Sequence, residues 1–76
     1  MVLYSMSNNE LSEQYKAIRE LFANGEATPM LGETWAVRPK GTSGTCGWVN
    51  GVAWNVQYVT ASNETSAVIK AAAQWS

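Results

Sequence analysis

The chain has 76 residues, a formal charge of −1, no histidine and 46% hydrophobic residues, which is the length and apolar content of one small globular domain over 1–76 rather than of a disordered chain. Five Lys and Arg in total do not make the basic stripe that phosphate binding needs, and no apolar run nears the ~20 residues of a membrane span, so neither nucleic acid nor membrane is an expected partner. The single cysteine, Cys46, excludes an internal disulfide; with no basic and apolar leader at the start, it suits the cytoplasm.

The first element is signposted at its start. Ser7-Asn8-Asn9-Glu10 is a capping box, and Met6 and Leu11 stand at the positions that staple the entering chain. Leu11, Tyr15, Ile18, Leu21 and Phe22 recur at three- and four-residue steps and form one apolar stripe. Asn24-Gly25 is a stop, with Gly25 expected in the left-handed conformation. A helix over about residues 8–24 follows.

Residues 26–32 look like a connector, with Pro29 as its breaker. A first strand is expected over about 34–39, with Trp35 and Val37 pointing one way and Thr34, Ala36 and Arg38 the other. Pro39 closes it, and residues 40–44 are a loop by composition.

Trp48-Val49-Asn50-Gly51-Val52-Ala53-Trp54 is a hairpin signature, because both residues of a two-residue type I′ turn take positive φ. The expected strands are about 45–49 and 52–60. A two-residue turn sets Val49 opposite Val52, Trp48 opposite Ala53, Gly47 opposite Trp54 and Cys46 opposite Asn55, with the Trp54 ring over Gly47. Strict alternation then gives Val52, Trp54, Val56 and Tyr58 one face, and Ala53, Asn55, Gln57 and Val59 the other. A second helix over about 63–75, capped by Ser62 or Asn63, carries Val68, Ala71, Ala72 and Trp75 on one side, with Ile69 and Ala73 beside them. That cap is also the structural explanation of the glycosylation-like triplet Asn63-Glu64-Thr65. The fold class is α+β: a two-layer helix, three-stranded antiparallel meander, helix (α-β-β-β-α). In it the long helix covers Trp35, Val37, Trp54, Val56 and Tyr58, the second helix lies beside it, and Trp48 on the other face stays accessible.

No catalytic constellation emerges. Without histidine the commonest general base and metal ligand is missing, and Cys46 has no histidine to activate it. Glu26 and Glu33 bracket the Pro29 connector, but nothing makes them a specific acid–base pair. The Gly-, Ser- and Thr-rich stretch 41–47 lacks the Lys-Ser/Thr and the following helix of a phosphate loop. No enzyme activity, cofactor or metal is therefore expected.

Four tryptophans remain. Trp35 and Trp54 sit with valines on the expected core face, whereas Trp48 faces away and Trp75 is penultimate. A tryptophan on a sheet's second face or at a chain end is either covered or waits for a partner. The expected function is a small regulatory or protein-binding protein. It would act through this aromatic face by homodimer formation, by contact with a larger partner, or both. Trp48, Arg38, Asn55, Gln57 and Trp75 are the contact residues. Small interaction proteins, viral modulators of host machinery among them, share this format. The alternative is a carbohydrate or small-ligand binder, with tryptophan platforms ringed by Arg38, Asn55 and Gln57.

Overall fold

The computed structural model describes residues 8–75, with side chains from residue 12 onward. The Ser7–Glu10 capping box and the Met6–Leu11 staple rest on residues or side chains outside those described. Helix α1 runs Asn8–Ala23, followed by strands β1 Glu26–Pro29, β2 Thr34–Arg38, β3 Cys46–Val49, β4 Val52–Asn55 and β5 Gln57–Thr60, and helix α2 Glu64–Ala73. The class is α+β, as the sequence implies, but five strands replace three. They form two sheets: a three-stranded antiparallel sheet in the order β1-β2-β5, and the separate β3-β4 hairpin.

The extra strand is the segment expected to be a connector. Met30 N–H donates to Thr34 O at 2.9 Å, which fixes the hydrogen-bonding parity of the β1–β2 ladder. Pro29, opposite Trp35, then falls at a position whose N–H would point away from β2. Its missing donor therefore costs β1 nothing at the sheet edge.

The second correction concerns the long strand 52–60, which breaks at Val56. Val56 N–H still donates to Thr45 O at 2.8 Å, the last rung of the hairpin, whereas Gln57 already pairs with Val37 of β2. One chain thus serves two sheets, and the alternation slips by a residue at the corner. Trp54 is buried before it, Val59 and Ala61 after it, and Tyr58 is turned outward at 54% exposed. Val59 is the cross-strand partner of Trp35, so Val59, not Tyr58, shares the core face.

The helices exchange the roles that their lengths suggested. The short α2 lies on β1, β2 and β5, and α1 packs against α2 and β4. The alanines explain this. Ala67, Ala71 and Ala72 are buried, and so small a surface lets α2 approach the sheet and α1 closely. Ile69 is instead exposed, at 63%. Ile18 and Phe22 of α1, Val37, Trp54, Val59, Ala61 and the three alanines form one core, so both helices share one side of the sheet. The cap of α2 is Asn63, whose Oδ1 accepts from Ser66 N–H at 2.8 Å. Trp35 is half-buried and donates its indole N–H to Ala61 O at 2.9 Å, so its polar edge is satisfied.

Gly25 departs from expectation. Its φ is not among the positive values. A Cβ there would collide with the carbonyl of Arg38 and crowd that of Phe22, so glycine is needed for close approach at the end of α1 rather than for a left-handed cap.

The hairpin agrees with the sequence rung by rung: Cys46–Asn55, Gly47–Trp54, Trp48–Ala53 and Val49–Val52. Asn50 and Gly51 have φ of 50° and 79°, as a type I′ turn demands. Gly51→Val is therefore expected to cost about 1–3 kcal/mol, since a β-branched residue is strained at positive φ. A chemical-denaturation midpoint equal to wild type would contradict that account of the turn.

Candidate functional site

The hairpin has two unlike faces. Residues directly opposed across an antiparallel pair project to the same side, so Gly47, Val49, Val52 and Trp54 form one face and Cys46, Trp48, Ala53 and Asn55 the other. The first is the anchored face. Trp54 is only 4% exposed and belongs to the core, with Val49 and Val52 packed against it. A Cβ on Gly47 would come within 3.1–3.3 Å of the Trp54 ring, which covers the glycine backbone.

All four residues of the second face are exposed, Trp48 at 74%. Its flanking side chains are small or uncharged, so the indole projects from a neutral, low-relief surface. Trp48 stands out because its strand partner is Ala53, whose methyl can cover little of the ring. The Cys46 thiol is free and exposed on the same face.

The other proposed contact residues do not all converge there. Asn55 does, as the cross-strand partner of Cys46. Gln57 lies beyond the corner, opposite Val37, and its Nε2 donates back to Asn55 O at 3.2 Å. Arg38 is opposite Glu26 in the other sheet, one residue out of phase with Val37, and its Nε donates to Gly44 O at 2.6 Å. The single face shared by Arg38, Asn55 and Gln57 required an unbroken strand through Val56, which the fold does not contain. Trp75 is elsewhere again. It stacks on Phe22 with ring centroids 6.4 Å apart and planes 12° apart, and touches Tyr15 at 6.2 Å. It is half-buried between the helices, and its indole nitrogen is buried without a hydrogen-bond partner among the described residues.

Exposed apolar groups that the sequence pattern did not mark are Tyr58, on the open face of the three-stranded sheet, and Met30 and Leu31 at the tip of the β1–β2 connection. Alternation pointed the wrong way for Tyr58. For Leu31, only the unrecognised pairing of β1 could have shown that it caps a hairpin.

Glu26 and Glu33 sit at opposite ends of the β1–β2 ladder. Among the described residues, no group of three His, Cys, Asp or Glu is placed to hold a metal ion, and no helix is long and apolar enough to cross a membrane. No protein-family model matches the chain, and no curated protein or solved structure is significantly similar to it.

Proposed function

We propose that the chain is a non-enzymatic, regulatory protein-binding protein of the cytoplasm whose contact surface is the outward face of the β3–β4 hairpin. One observation carries this reading: Trp48 is 74% exposed on an uncharged face, on a hairpin whose opposite face is locked into the core by Trp54. A rigidly mounted aromatic is a low-entropy anchor, and an interface commonly draws much of its binding energy from one such ring. The exposed thiol of Cys46 fits a reducing compartment. Ligand stacking on Trp48 draws less support, because Arg38 and Gln57 are not arranged around the ring with Asn55.

Trp48→Ser tests the proposal. The fold should keep its stability within about 0.5 kcal/mol, as for an exposed position. Binding should fall by 2 kcal/mol or more, about 30-fold. The comparison is affinity capture from the native host with wild type and variant in parallel, together with thermal melts of both. Proteins retained by wild type and lost by the folded variant support the reading. Identical captured sets, or a large drop in stability, overturn it.

A further inference from the structure

Four strand edges of the described residues face away from their own sheets, and three of them are protected. The β1 edge carries Pro29 and the charged Glu26, both of which deter strand addition. The β5 edge is engaged by α2, with Lys70 Nζ donating to Thr60 O at 2.6 Å. On β4 the outward Asn55 carbonyl already accepts from Gln57 Nε2, and the strand turns at once into the corner at Val56. The β3 edge has no such device. Its one extensive partner among the elements is β4, it contains neither charge nor proline, and it carries the exposed Trp48.

We propose that the β3 edge pairs with β3 of a second copy of this chain, antiparallel about a two-fold axis, to give a continuous four-stranded sheet β4-β3-β3-β4. This rests on the hairpin being the contact surface and adds the identity of an occupant. The parity of the ladder selects the register. The Thr45–Val56 bond makes Gly47–Trp54 and Val49–Val52 the hydrogen-bonded rungs. The N–H and C=O groups of Cys46 and Trp48 consequently point outward. Two copies can satisfy all four outward groups of each edge only with Gly47 facing Gly47, which sets Cys46 opposite Trp48 of the second copy, twice. Four hydrogen bonds form.

Side chains agree with this register. On the outer face each Trp48 lies between two small neighbours, its own Ala53 and Cys46 of the second copy, and the two indoles are diagonal neighbours within reach of one another. On the inner face the two-fold axis passes between glycines, so no β-carbons meet beside the Trp54 rings. No charged group lies on β3, and a net charge of −1 gives little repulsion between copies. A foreign strand could use the same edge, but β3 supplies its own complement in parity, size alternation and charge. The contact is short, below the standard interface size of about 1,200 Å² or more, so the dimer is reversible and concentration-dependent.

Sedimentation of the full chain over a hundredfold concentration range tests this under reducing conditions. Wild type is expected to pass from monomer to dimer. Cys46→Pro deletes an outward N–H at the first position of an edge strand, where proline is tolerated, and is expected to fold and to remain monomeric. Cys46→Lys adds like charges near the axis without touching the backbone, and should weaken the dimer at least tenfold should the proline variant not fold. In this register the Cys46 Cα atoms are about 8–9 Å apart, so a bismaleimide of matching reach should trap the dimer while simple oxidation forms no intradimer disulfide. A wild type that is monomeric throughout overturns the proposal, and leaves capture by Trp48 as the separate test of binding to other proteins. A dimer that survives in folded Cys46→Pro and Cys46→Lys also overturns it, because association then uses another surface.

Discussion

Phe22→Ala is expected to cost about 3–5 kcal/mol, the range for removing a buried phenylalanine from a core that cannot collapse around the cavity. Phe22 is fully buried on the last turns of α1, stacked on Trp75, in the same core as Val37 and the alanines of α2. Those alanines are the reason the site cannot adapt. They have no rotamers with which to fill the space, and helices already at close approach gain nothing by sliding. Domains of this size are stable by only a few kcal/mol, so the variant should be largely unfolded at room temperature. The checks are loss of the cooperative urea transition and of the helical far-ultraviolet signal. A stability within 1 kcal/mol of wild type would place Phe22 outside the core.

Trp54→Ala carries a comparable expectation, about 3–5 kcal/mol, by a different route. Trp54 is the buried member of the hairpin, where α1 packs on β4, and its ring roofs Gly47. Truncation removes the largest apolar group joining the hairpin to the rest of the fold and uncovers a glycine whose strand conformation the ring supports. The damage should start locally. Amides of β3 and β4 should lose hydrogen-exchange protection further than those of β2 and β5, which are held by α2. Uniform loss across all five strands would show that hairpin and sheet are one cooperative unit. The comparison with Trp48→Ser is informative because the two tryptophans lie on opposite faces of one hairpin, and the change at Trp48 should leave stability nearly untouched.

Much of the architecture is legible in the sequence, for reasons that are local. The turn at Asn50-Gly51 and the whole hairpin register follow from the φ requirement of a two-residue connection, since once the turn is known every rung is known. Helix α1 follows from its apolar stripe, and the start of α2 from Ser62-Asn63 followed by good helix formers. The exposed position of Trp48 follows from register and period together, because Trp54 and Trp48 fall on opposite faces by parity and only one face can meet the core. The central residue of the candidate site was therefore readable from seven consecutive residues.

What the tertiary structure decided is everything that depends on which segments meet. Glu26–Pro29 has no strand signature of its own and becomes β1 because β2 offers it a ladder in which Pro29 falls at a non-bonded position. The corner at Val56 comes from competition between two partners for one chain, Thr45 on one side and Val37 on the other. No property of residues 52–60 alone tells where alternation will slip, and that slip exchanges Tyr58 for Val59 and parts Gln57 from Asn55. Gly25 has its place because the chain passes against the Arg38 carbonyl, a contact across a gap of thirteen residues. Periodicity and turn chemistry act within a few residues and are written in the sequence. Sheet membership and helix cover are settled by which close packing the alanines of α2 permit, and only the assembled fold determines that.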